Sequence, residues 1–351
     1  MIKRILYTLL IMFPVVASAQ INTDRVMAIG RNALYFEDYV LSIQYFNQVI
    51  NAKPYLSDPY FYRGLAKINL DDFQGAESDC SEAIERNPFV VSAYQVRGLA
   101  RIQQNNFAGA IEDYTKALEF DPENIGVWHN MALCRIRQED YKGAKNDLDK
   151  LIAISPRYTK AYLMRGEVDL KQKDTLAAEK DFGKAIEIDR YDADTWASRA
   201  ILRLQQQRYK DAEADFDHAI RLSTRNSGVY INRALARYHQ NNLRGAMSDY
   251  DIALDIDPNN FIGHYNRGLL RAQVGDDNRA IQDFNFVIEM EPDNMMAIFN
   301  RGLLLDQTGD YKGAIKDYST VINEYPNFLL GYQYRAQARR KIGDVKGADA
   351  D

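Results

Sequence analysis

FIGHYNRGLLRAQVGDDNRAIQDFNFVIEMEPDN, residues 261–294, runs without a gap into MMAIFNRGLLLDQTGDYKGAIKDYSTVINEYPNF, residues 295–328. Each stretch holds 34 residues, and laid over one another they share Asn-Arg-Gly at positions 6 to 8, Ala at 20, Asp at 23 and Pro at 32. The dipeptide at positions 7 and 8 follows the same repeat along the chain. Arg63-Gly64, Arg97-Gly98, Arg165-Gly166, Arg199-Ala200, Arg233-Ala234, Arg267-Gly268, Arg301-Gly302 and Arg335-Ala336 lie 34 residues or a multiple of 34 apart, with Met131-Ala132 in the vacant place. A fixed period of this length is the mark of stacked supersecondary repeats. The repeats begin at 23, 57, 91, 125, 159, 193, 227, 261, 295 and 329; nine are complete and the tenth reaches position 23 at Asp351. Nothing interrupts the register, so residues 20–351 read as one repeat array with no inserted domain or linker.

Within a repeat the pattern is that of two antiparallel helices. Position 20 is Ala in every repeat but the first, which has Ser42, and position 28 is always Ile or Leu. Positions 20, 24, 27 and 28 therefore form an apolar i, i+4, i+7, i+8 stripe, which is a helix face. Pro at position 32, in seven of nine repeats, stops the second helix by removing a donor. Turn-forming pairs such as Asp71-Asp72, Gly275-Asp276 and Gly309-Asp310 separate the helices. Aromatic residues at positions 4 and 24 are expected to fill notches left by Gly or Ala at position 8 and Ala at position 20. The predicted class is all-α.

Composition agrees and excludes several functions. At 46% hydrophobic and 26% charged residues the chain is an ordered protein, not a disordered one. Its net charge of −5 lacks the basic field of a nucleic-acid partner. The four histidines, His129, His218, His239 and His264, occupy four different repeat positions, and no metal, nucleotide or nucleophile motif is present. A non-catalytic protein without cofactor is the expectation. Cys80 and Cys134 are separated by a whole repeat, too far for a disulfide, and read as small core residues.

The N-terminus reads as an address. Lys3 and Arg4 precede an apolar run from Ile5 to Val16, followed by Ala17-Ser18-Ala19. This is the form of a secretory signal peptide, residues 1–19, cleaved after Ala19, and it is too short to span a bilayer. The mature chain is then periplasmic or secreted, with no stable membrane insertion and a net charge of −7.

A 34-residue helix pair with aromatic-x-x-x-Gly early, Ala and an aromatic residue four apart later, and Pro at position 32 resembles the tetratricopeptide repeat over residues 23–351. The resemblance implies a right-handed superhelical solenoid whose first helices line a concave groove that holds a protein or peptide segment. It implies that positions 2, 5, 6, 9, 12 and 13 face that groove. Position 6 supplies Asn130 and then, in three successive repeats, Asn232, Asn266 and Asn300. An amide both donates and accepts, which suits a peptide backbone. Position 5 adds Ile231, Tyr265 and Phe299, and position 9 adds Leu235, Leu269 and Leu303, an expected apolar floor. The Lys and Asn by which some relatives clamp a terminal carboxylate are missing, since position 5 is never Lys and position 9 never Asn. Arg190 and Thr224 stand where the family has Pro, which questions the junctions there. An exported sensor or accessory arm of an envelope, secretion or signalling assembly is the alternative role.

Position 23 is Asp from the second repeat onward, and position 7 is Arg in eight of those nine. Both lie equally far from the turn, so they are expected to pair within a repeat, with the basic position 11 joining the same Asp. On that reading Arg267→Ala destabilises far more than a joint replacement of Arg267 and Asp283. The tenth repeat ends before its apolar positions 24, 27 and 28, so the chain is expected to continue beyond Asp351 or to fray over 342–351.

Overall fold

The computed structural model describes residues 22–351; the signal peptide expected at 1–19 lies outside them. The described residues form twenty helices and no strand. They divide into two compact units at a repeat boundary in the chain, between Tyr158 and Thr159. The N-terminal unit holds α1 Thr23–Tyr35, α2 Tyr39–Ala52, α3 Asp58–Ile68, α4 Phe73–Arg86, α5 Val91–Gln103, α6 Phe107–Phe120, α7 Ile125–Arg137 and α8 Tyr141–Ile154. The C-terminal unit begins with α9 Thr159–Lys171, α10 Thr175–Ile188, α11 Ala193–Gln205, α12 Tyr209–Leu222, α13 Ser227–His239 and α14 Leu243–Ile256. It continues with α15 Phe261–Gln273, α16 Asp277–Met290, α17 Met295–Thr308, α18 Tyr311–Glu324, α19 Leu329–Lys341 and α20 Val345–Ala350. Odd and even helices are the first and second helices of the repeats, and within each unit every helix packs on the next.

The repeated chemistry explains the repeated ends. Position 16 is Asp or Asn in every repeat but one, and in all of these except Asp276 its side chain accepts the N–H of position 19, as Asp72 does from Gly75 at 2.9 Å. Such a cap satisfies one of the donors a helix start leaves open. Arg208 breaks the series and caps nothing; its guanidinium instead reaches Glu179 and Asp211. The turn residue before the cap, position 15, adopts positive φ in all ten repeats: 59–64° at the seven non-glycine residues and 79–94° at Gly275, Gly309 and Gly343. Arg190 and Thr224 do not disturb their junctions. Like the second helices of the other complete repeats, α10 and α12 end at position 30, closed by N–H of position 31 on C=O of position 27, both 2.9 Å (Asp189 to Ala185, Ser223 to Ala219). Hydrogen bonding, not Pro, sets the end.

The core is a column of small residues and rings. The Ala side chains at position 20 are fully buried from Ala76 to Ala314, and so are the aromatic rings at position 24, with Phe46, Tyr114, Phe182, Phe216, Phe284 and Tyr318 at 0% exposure. The notch at position 8 is real: a Cβ on Gly98 would lie 2.7 Å from Tyr114 Cε1, and one on Gly166 2.6 Å from Phe182 Cε1. Cys80 and Cys134 are free and buried, and burial pushes their thiols up to about 12 and about 11. They are inert core residues, as expected.

The charged ladder pairs within repeats. Arg63, Arg97, Arg199, Arg233, Arg267 and Arg301 each present Nε and Nη2 to the position-23 Asp of their own repeat, at 2.5–3.2 Å. Arg101, Arg203, Arg237 and Arg271 add a third bond to the same carboxylate. Each such Asp is no more than 5% exposed, so its charge depends on these partners. The last repeat keeps the pattern, with Asp351 accepting from Arg335 and forming an ion pair with Arg339. A link between repeats was not foreseen. Nη1 of the position-7 Arg reaches back to position 25 of the preceding repeat, as Arg63 does to Asn47 at 2.6 Å and Arg233 to Asp217 at 2.7 Å.

The fourth repeat is the exception, because Met131 stands in the Arg place. Arg135 Nε lies 2.7 Å from Asp147 Oδ2, but at an angle that makes no hydrogen bond. Burial therefore dominates and pushes the Asp147 carboxyl up to about 6, against an ordinary 3.8, despite Arg135. A folded-state value raised this way contributes stability that is full below the unfolded value and is lost as pH rises through about 6. Asp147→Asn lacks that loss. Its stability relative to wild type is expected to improve by roughly 2 kcal/mol between pH 4 and pH 7. Denaturant melts at the two pH values check this, and a pH-independent difference refutes it.

Candidate functional site

A groove for a partner requires polar and apolar side chains that the fold leaves uncovered on the first helices. The C-terminal unit has them on α13, α15, α17 and α19. Position 2 is polar or Gly in seven repeats (Asp24, Asp58, Ser92, Gly126, Lys160, Asp194, Gly228) and then becomes Ile262, Met296 and Leu330. These three are 51%, 60% and 50% exposed. Positions 2, 6 and 9 share one helix face. Each exposed apolar residue on α15 and α17 therefore lies beside a position-6 Asn and a position-9 Leu, of which Leu269 is exposed.

The position-6 amides divide. Asn232 and Asn266 are half-buried and make no hydrogen bond with the described residues. Asn300 is also half-buried, but its Nδ2 donates to Tyr265 Oη at 3.1 Å, bracing α17 against α15. Burial pushes the Tyr265 phenol up, and the bond from Asn300 tempers the rise. Asn130 is half-buried on α7, in the N-terminal unit, and is not part of this run.

Position 5 corrects the expected floor. Ile231 and Phe299 are buried, at 7% and 9% exposure, and belong to the core. Phe299 packs edge-on to Phe328 and Tyr334, with centroids 5.0 and 5.8 Å away. The helix turns position 5 toward the neighbouring repeat, so the apolar side chains left uncovered on this face are those of positions 2 and 9. Phe299 still forms one wall of a cleft of about 360 Å³, with Met296, Val321, Tyr325 and Phe328, at the start of α17. The missed residues, Ile262, Met296 and Leu330, had a readable signal: an apolar side chain appears three times running where the repeat is otherwise polar.

No group of three or more His, Cys, Asp or Glu able to hold a metal occurs among the described residues. None of the described helices is long and apolar enough to cross a membrane.

Profiles described as TPR repeat and tetratricopeptide repeat match residues 98–134, 125–158, 159–192, 198–261 and 265–327, together more than half of the chain. Among solved structures, a tetratricopeptide repeat protein from Parabacteroides merdae is 21% identical, with TM-score 0.54, over 71% of this chain and 98% of that one. The C-terminal part of a TPR repeat-containing protein from Cytophaga hutchinsonii is 17% identical, with TM-score 0.56, over 68% and 97%. The pilF protein of Pseudomonas aeruginosa is 18% identical, with TM-score 0.55, over 61% and 97%. At these identities the likeness is one of fold, a solenoid of helix pairs. A comparison with curated proteins found no match.

Proposed function

Because the chain belongs to the tetratricopeptide repeat family, whose repeats generally mediate protein or peptide interactions, we propose that it is a non-catalytic scaffold. It holds an extended peptide segment on the first-helix face of α13, α15 and α17. One observation carries this reading. Asn266, an amide without an internal partner, lies in the same repeat as the exposed Ile262, and Asn232, likewise without one, lies in the repeat just before the exposed apolar row of Ile262, Met296 and Leu330. The amides would grip a peptide backbone, the apolar row would take alternate side chains, and the Met296–Phe299 cleft would accept one of them. The leader read over residues 1–19 would deliver this scaffold to the periplasm or the medium, with Gln20 as the mature N-terminus.

A displayed library of random peptides, selected on the purified chain, supplies the probe. Peptides so selected are expected to bind the combined variant Asn232→Ala, Asn266→Ala, Asn300→Ala at least tenfold more weakly, about 1.4 kcal/mol, while the helical signal is unchanged. The variant Asn232→Ala, Asn266→Ala keeps the Asn300–Tyr265 brace and should retain most of the loss. Selected peptides indifferent to both variants would move the site off α13–α17.

A further inference from the structure

A cleft in the C-terminal unit lies away from the first-helix face, between α10, α12 and the start of α11. It encloses about 650 Å³, the size of a small-molecule site, and Arg190, Arg199, Arg221, His218 and Trp196 line it. Three departures from the repeat meet there. Position 25 is Gly183, although Asn47, Ser81, Asp217, Asp251, Asn285 and Ser319 occupy it elsewhere and each accepts Nη1 of the next repeat's Arg, at 2.6–3.1 Å. Position 32 is Arg190 in place of Pro. Position 29 is Arg221, where the other repeats carry Glu, Asp, Asn or Ala.

Each departure adds an uncommitted donor. Arg199 spends Nε and Nη2 on Asp215, at 2.8 Å each, but its Nη1 meets only the bare Gly183; a Cβ there would stand 4.0 Å away. Arg190 and Arg221 make no ion pair with the described residues, and the one carboxylate in the lining, Glu187, is taken by Lys184 at 2.9 Å. Trp196 is held rigidly between them. Its Nε1 donates to Arg190 O at 3.0 Å, its ring stacks on His218 at 4.2 Å, and the Arg199 guanidinium lies 5.1 Å from the ring centroid. Ile186 and Leu222 complete an apolar side. Planar guanidinium groups take oxyanions in bidentate fashion, and two unpaired ones ask for a charge near −2.

We propose that this cleft binds a small dianionic ligand, a phosphomonoester or a dicarboxylate on an apolar body, through Arg190, Arg221 and the free Nη1 of Arg199. The site is independent of the peptide face. Trp196 is one of two tryptophans, so Trp128→Phe leaves it as the only indole reporter. In that full-length background, phenyl phosphate or phthalate is expected to change the emission saturably. Adding Arg190→Ala and Arg221→Ala should weaken the response at least tenfold. Gly183→Asn, which gives Arg199 the partner found in other repeats, should weaken it several-fold without lowering the melting temperature. Asn232→Ala with Asn266→Ala should leave it unchanged. Saturation by phenyl phosphate alone selects the phosphomonoester, and saturation by phthalate alone selects the dicarboxylate. No saturable response to either probe, or equal affinity in the arginine variants, overturns the site.

Discussion

Arg301→Ala is expected to destabilise the ninth repeat by about 3–5 kcal/mol, the cost of stranding a buried carboxylate. Asp317 is 3% exposed, and among the charged side chains of the described residues Arg301 is its sole partner, through Nε at 2.8 Å and Nη2 at 2.7 Å. Position 11, which supplies a second cation in most repeats, is here Leu305. The joint variant Arg301→Met, Asp317→Leu removes both charges and should cost no more than about 1 kcal/mol. The same test at Arg267, which the pairing rule suggested, is blunted by the structure. Asp283 also holds Arg271 at 2.7 Å and His264 at 2.9 Å, so losing Arg267 should cost only about 2 kcal/mol, while removing Asp283 leaves Arg267 and Arg271 to share the exposed Asp251. Repeats in a solenoid open locally, so amide exchange in α17 and α18 should accompany denaturant melts. Equal losses for the single and joint variants at 301 and 317 would sink this account.

Gly166→Val should cost about 3 kcal/mol, with Gly166→Ala nearer 1 kcal/mol. The first atom of any side chain at 166 meets Phe182 Cε1 at 2.6 Å, inside the closest real approach. Phe182 is fully buried, packed with Leu202, Leu163 and Leu170, and has no empty side to move toward. The fold tolerates one methyl: Ala200 and Ala234 occupy the same position opposite Phe216 and Tyr250, which remain buried. It has no room for the branched side chain. Faster exchange confined to α9 and α10, with a lower melting temperature, is the expected signature. A valine variant as stable as the alanine one would show the notch to be loose.

Much of this molecule was legible in its periodicity. The helix pairs, the small-residue notch and the Arg–Asp pairing within a repeat follow from what every repeat has in common. The junctions at Arg190 and Thr224 were misjudged, because Pro marks a helix end that backbone hydrogen bonding already makes. Ile231 and Phe299 were misplaced for a different reason. A stripe names the face of a helix, but the neighbouring repeat decides whether an apolar residue at the stripe's edge is covered.

The 34-residue register by itself determined the all-α class, the two helices of each repeat and the ladder that ties them, since those contacts join residues at constant spacing. The tertiary structure alone decided what the departures from the register mean. Gly183, Arg190 and Arg221 are 7 to 38 residues apart along the chain, and each looks like a tolerated substitution in its own repeat. Packing α10, α11 and α12 brings them around one cleft, and stacking α13, α15 and α17 leaves Asn232 and Asn266 open while closing Ile231 and Phe299 into the core. Burial is a property of two surfaces in contact, and a periodic sequence specifies only one of them.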